Sequence, residues 1–112
     1  MKTERRNTRR TRKRLPVSFS SHGHEFKGVT SSLSYTGMFI RTRKPFKPGV
    51  PVEVSIYVDK DCTICVRGRS VRAINFGFVC RQNGMGVQLD PESEEYSNYL
   101  KDLLIRTGVV LQ

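Results

Sequence analysis

Tryptophan is absent, and the aromatic residues are limited to six Phe and four Tyr. Barrels that bind single-stranded nucleic acid stack bases on exposed rings, so this chain is poorly supplied for that task. No apolar run reaches the roughly 18 residues that a membrane-spanning helix needs. The N-terminus is charged, with no apolar stretch behind it, so no secretory signal is expected and the natural setting is the cytoplasm. Cysteine is scarce and odd in number: Cys62, Cys65 and Cys80. Without export, no disulfide framework is expected. The Cys-Thr-Ile-Cys spacing invites a metal reading, but positions three apart on an extended chain point to opposite faces. No second Cys-x-x-Cys completes a site, and His22 and His24 are the only other candidates, so three buried or half-buried thiols and no metal are expected.

Acidic residues are outnumbered, with 10 Asp and Glu against 20 Lys and Arg, for a net charge of +10. The imbalance sits at one end. Residues 1–14 carry eight basic side chains against Glu4, a net +7, while the remaining 98 residues carry +3. An excess of this kind favours a polyanionic partner such as a phosphate ester or nucleic acid. Catalysis finds little support. His22 and His24 have no Ser or carboxylate at a relay spacing, and Asp59 and Asp61 flank Lys60 in a turn, where solvated charge is the ordinary role. The chain reads as a non-enzyme without a cofactor.

What is present is a β pattern. Residues 1–14 have no apolar residue after Met1 and are expected to be a flexible arm. From Leu15 on, Val17 and Phe19 alternate with Ser18 and Ser20, the period of a half-buried strand. His24–Thr30 reads as a second strand and the Met38–Thr42 stretch as another, with Ser32–Gly37 as a polar turn between them. Val52, Val54, Ile56 and Val58 alternate with Glu53, Ser55 and Tyr57. The Thr63–Ile74 stretch is extended, with Gly68 as its expected bend or bulge. Asn75–Cys80 and Met85–Asp90 follow, with Phe76 and Phe78 assigned with Phe19 to the core. Six or seven short strands without an intervening helix favour an antiparallel barrel in residues 15–112, because closure hides sheet edges. A helix is expected over about 91–107. Asp90 serves as N-cap, Pro91 as first residue, Glu92, Glu94 and Glu95 load the first turn, and Gly108 ends it. Its stripe of Tyr96, Tyr99, Leu100, Leu103 and Leu104 fits packing on the barrel; a dimer interface is the sharper alternative.

Two short features carry the chemistry. The first is Arg10-Thr-Arg-Lys-Arg14, an Arg-x-x-x-Arg ahead of the first strand; Arg5/Arg9 and Arg6/Arg10 also satisfy the spacing. The second is Ser32-Leu-Ser34-Tyr-Thr-Gly37. The 17 residues between Arg14 and Ser32 hold one strand, a turn and another strand, so a hairpin can return the serine turn to the arm. Guanidinium forks facing small hydroxyls suit a ligand with phosphates and guanine edges.

In these motifs the sequence resembles the PilZ domain family, bacterial receptors for cyclic di-GMP, whose pattern is Arg-x-x-x-Arg followed by (Asp/Asn)-x-Ser-x-x-Gly. Val66–Ile74 and Asn83–Asp90 resemble the family's central and closing strands, so the likeness covers about residues 9–106. It implies a six-stranded antiparallel barrel with a C-terminal helix and a disordered basic N-terminal arm. By the same resemblance Arg10 and Arg14 would grip guanine and phosphate, Arg9 would add a contact, and Ser32, Ser34 and the Gly37 turn would shape the pocket. Ser32 departs from the family's Asp or Asn, and that substitution is expected to weaken binding by about 1–2 kcal/mol. The implied partners are cyclic di-GMP and an unidentified downstream protein, with the receptor a monomer or weak homodimer. Two alternatives stand beside this: a basic barrel binding nucleic acid, and a degenerate PilZ domain acting as an interaction module without ligand.

Overall fold

The structure is a computed structural model, which describes residues 10–75, 83–91 and 93–106. Seven strands run β1 (Arg10–Arg12), β2 (Pro16–Ser21), β3 (His24–Ser34), β4 (Gly37–Arg41), β5 (Pro51–Asp59), β6 (Cys62–Ile74) and β7 (Gly84–Leu89), followed by helix α1 (Glu94–Arg106). All pairings are antiparallel. From β3 the order passes through β2, β5, β6 and β7 to β4, and β4 pairs again with β3, closing a six-stranded barrel. This is the mostly β barrel with one C-terminal helix that the sequence implies. Phe76, Phe78, Cys80, Glu92 and Gly108 lie outside the described residues.

The alternation that identifies the strands also builds the interior. Val17, Phe19, Leu33, Met38, Ile40, Val52, Val54, Ile56, Ile64, Met85 and Val87 are all buried, while alternating positions such as Glu53, Thr63, Cys65 and Gln88 are exposed. Phe46, in the β4–β5 loop, plugs one end of the barrel against Phe19 and Phe26, with ring centroids 5.1 and 5.7 Å away. The loop is held there because the Ser70 hydroxyl donates to the Phe46 carbonyl at 2.9 Å.

Three local expectations are corrected. The turn read at Ser32–Gly37 is shorter: β3 continues to Ser34, and only Tyr35 and Thr36 connect it to β4. Serine is neutral enough in a ladder that its neighbours decide, and Leu33 is drawn fully into the core. Gly68 is not a bulge, since it stays in register with Val52 and Leu89, and the irregularity falls between Ser70 and Arg72. Glycine is required there because a Cβ would fall on the Gln88 carbonyl oxygen. The helix begins later than Asp90: the Ser93 hydroxyl accepts from the Tyr96 amide at 3.1 Å, making Ser93 the N-cap. Asp90 instead extends the ladder, its amide donating to the Arg67 carbonyl. The expected stripe does pack inward, with Tyr96, Leu100, Leu103 and Leu104 buried.

The β2–β3 hairpin turns through His22 (φ 52°) and Gly23 (φ 83°), both left-handed. Such a two-residue turn favours Asn-Gly. His22→Asn is therefore expected to stabilise the fold by about 0.5–1 kcal/mol, read as a raised urea midpoint with an unchanged slope.

Candidate functional site

The two basic and serine-rich motifs meet. β1 lies along the far half of β3, pairing Arg10 with Ser34, Thr11 with Leu33 and Arg12 with Ser32. The hairpin return inferred from the 17-residue gap is thus realised as direct strand pairing, and residues 10–12 are strand rather than arm. β1 prolongs β2 along the same edge of β3, with a break at Lys13–Leu15. Thr30 holds that break: its buried hydroxyl donates to the Lys13 carbonyl at 2.6 Å and accepts from the Leu15 amide at 2.9 Å. The strand therefore resumes with Leu15 in the core and the cationic residues outside. Nothing in the sequence distinguished this threonine from its polar neighbours.

Arg10 reaches across to Ser32, its guanidinium donating to the serine hydroxyl at 2.9 Å. This pair stands at the rim of a groove of about 780 Å³ that runs over β4 and β7 to β6. The registers show why it is there. Arg12, Ser32, Phe39, Gly86 and Arg72 stand opposite one another on successive strands, and Arg41, Gly84 and Ile74 form the next row. Opposed residues share a face; the Phe39 ring covers Gly84, while Gly86 leaves a trench between the side chains of β4 and β6. A Cβ on Gly86 would meet only Arg72 and Val71 at ordinary contact distance, so a larger residue would grow into the trench. Phe39, Val71 and Ile74 supply apolar surface, and Val71 is 49% exposed. Arg10, Arg41 and Arg72 stand along the rims. A flat apolar floor between guanidinium groups can take a heteroaromatic ring and fix its attached phosphates.

The expected site residues are placed as follows. Arg10, Ser32 and Gly37 line this groove. Arg14 does not: it lines an adjoining cavity of about 500 Å³ with Arg12, Lys13, Ser31, Ser32 and Arg41. The two cavities share Ser31, Ser32 and Arg41. Ser34 is fully buried, and its hydroxyl donates to the Gly37 carbonyl at 3.2 Å, so it braces the bend. Gly37 is buried against β7, where a Cβ would press on the Val87 carbonyl. Arg9 lies outside the described residues. Arg41, Arg72, Phe39 and Gly86 were not singled out from the sequence; the signal available for them was the alternation of outward positions on paired strands, which needs the register. Of the thiols, Cys62 is half-buried and Cys65 exposed. Among the described residues no group of three or more His, Cys, Asp or Glu is arranged to hold a metal. Among them, too, no helix is long and apolar enough to cross a membrane.

The closed antiparallel barrel thus carries a cationic first strand paired with the serine-bearing end of β3, beside a groove with apolar and cationic lining. The sequence matches the PilZ domain over residues 4–106, and the chain belongs to that family. PilZ domains are generally non-catalytic effector domains that bind cyclic di-GMP. The fold is similar to the Bacillus subtilis inhibitor of motility (MotI/DgrA), at 18% identity and a TM-score of 0.74 over 92% of this chain. The chain spans half the length of that protein. It is also similar to the PilZ domain of CeSA from a cellulose-synthesizing bacterium, at 19% identity and a TM-score of 0.58, covering 90% of this chain and 97% of that one. No curated protein matches the chain significantly.

Proposed function

We propose that this chain is a cytoplasmic, non-catalytic receptor for cyclic di-GMP, acting as a monomer or weak homodimer on a separate downstream protein. Support comes from one observation above all: Arg10 is already docked on Ser32 at the rim of a groove with an apolar floor and cationic edges. A guanine base lies on the Phe39–Val71 surface, its O6/N7 edge or the phosphates taken by Arg10. Arg14, in the adjoining cavity, takes the far side of the same ligand across Ser32 and Arg41. Arg9 adds a further charge-assisted contact to the ligand, as the family resemblance implies. The resulting change of surface is what the downstream protein reads.

Calorimetric titration tests this. Saturable binding of cyclic di-GMP with no response to GMP is the expected result. An absence of binding would favour the ligand-free interaction module. Binding of any oligonucleotide, collapsing as salt is raised, would favour nucleic acid instead.

Ser32 gives a graded check. Its hydroxyl accepts from Arg10, but it is shorter than the family's Asp or Asn and cannot reach as far toward a guanine N–H. Ser32→Asn is expected to tighten binding by about 1–2 kcal/mol, roughly 5- to 30-fold. Unchanged or weaker affinity would mean that this position does not face the base.

A further inference from the structure

The helix that follows the barrel is tied directly to the bend beside Arg10. Tyr96 is buried in the first turn of α1, and its hydroxyl donates to the Ser34 carbonyl at 2.7 Å, with a longer approach to the Gly37 carbonyl at 3.5 Å. These two carbonyls flank the Tyr35–Thr36 connection between β3 and β4. The Ser34 hydroxyl also donates to the Gly37 carbonyl, and Ser34 is the register partner of Arg10. Thus a single phenol, 62 positions away along the chain, spans both sides of the bend on which the Arg10–Ser32 pair rests. Burial holds that phenol well above its ordinary value of 10.0, while the Arg10 guanidinium pulls it the other way, so the arginine lies within electrostatic reach of the ring.

We infer that Tyr96 is a positioning residue of the ligand groove, coupling occupancy at Arg10 and Ser32 to the docking of α1. This rests on the reading of the groove as a cyclic di-GMP site. A buried hydroxyl bond in a low-dielectric setting has one preferred geometry, so a bend drawn toward ligand and a helix drawn toward the bend favour each other. Coupling between two sites is reciprocal: if ligand tightens the hold on α1, loosening α1 weakens ligand. The outer side of the helix presents Glu94, Glu95, Lys101, Asp102 and Ile105, all exposed. A change in how the helix is held is therefore available to a partner.

The test uses the full chain, wild type and Tyr96→Phe, with cyclic di-GMP as probe. In the wild type, ligand is expected to slow amide exchange over residues 94–106 by at least about threefold, with the hairpin tip at 21–24 unchanged. In ligand-free Tyr96→Phe, exchange over 10–12 and 34–38 is expected to accelerate while the fold is retained. Its affinity is expected to fall about five- to tenfold, and ligand should no longer protect the helix. Wild-type affinity together with wild-type exchange in Tyr96→Phe would overturn the inference. Should the variant fail to fold, the wild-type experiment decides: helix exchange unaffected by bound ligand overturns it, and protection supports it. If the wild type binds no cyclic di-GMP, the receptor reading fails by itself. Faster ligand-free exchange at the bend in Tyr96→Phe would still support the positioning role, and unchanged exchange would end it.

Discussion

Arg10→Ala is expected to weaken cyclic di-GMP binding by roughly 10- to 100-fold, and Arg10→Ala/Arg14→Ala to abolish measurable binding. A charge-assisted hydrogen bond contributes about 1.5–3 kcal/mol, and a bidentate one discriminates its partner by a similar amount. Among the described residues Arg10 makes one side-chain bond, to the Ser32 hydroxyl, and it is exposed. Its removal should therefore leave the melting temperature almost unchanged, which separates a binding loss from unfolding. Arg14→Ala alone should weaken binding less, because Arg14 lines the neighbouring cavity and not the groove at whose rim Arg10 stands. Equal affinity of wild type and the double variant, measured by calorimetry at one fixed salt concentration, would contradict the proposal.

Leu100→Ala is expected to produce the largest loss of stability, about 2–5 kcal/mol in urea denaturation followed by circular dichroism. Leu100 is wholly buried where α1 meets the barrel, within the same cluster as Leu33, Met38, Leu89 and Leu104. Truncation removes the transfer energy of the side chain and leaves a cavity that strand backbones on one side cannot collapse to fill. Against the 5–15 kcal/mol that a domain of this size commonly commands, that is a substantial fraction. Leu100 does not itself line the groove, so any loss of ligand affinity in the surviving folded fraction comes through the looser hold on α1 and should be no greater than that of Tyr96→Phe. A loss below about 1 kcal/mol would mean that the helix is held mainly by its polar contacts, Tyr96 foremost.

The barrel was legible because burial imposes a period of two. Val52 through Val58 and Val17 with Phe19 carry it plainly, and both segments are strands. The helix stripe was legible for the same reason at its own period. Boundaries were less so. Ser32–Gly37 reads as a polar turn, yet the pull of Leu33 into the core and the pairing with β1 keep its first three residues extended. Asp90-Pro91 resembles a helix start, but the ladder of β7 continues into Asp90 and delays the cap to Ser93.

The motifs located one wall of the groove. Arg10, Ser32 and Gly37 come together as their order along the chain suggests. The opposite wall, built from Phe39, Arg41, Val71, Arg72 and Gly86, depends on which strands become neighbours and in which register. β4 pairs with β7, more than forty positions away in sequence, and no local pattern announces it. Ser34 illustrates the other limit: a motif serine can serve the bend from inside rather than the ligand from outside.

The most direct test of a shared cyclic dinucleotide site is titration of isotope-labelled protein with cyclic di-GMP, followed by amide chemical shifts. Changes should concentrate in residues 9–14, 31–39, 71–74 and 86–88, with Ser18, Ser55 and Tyr57 on the β2–β5 face unmoved. Shifts confined to that other face, or none at saturating ligand, would contradict it.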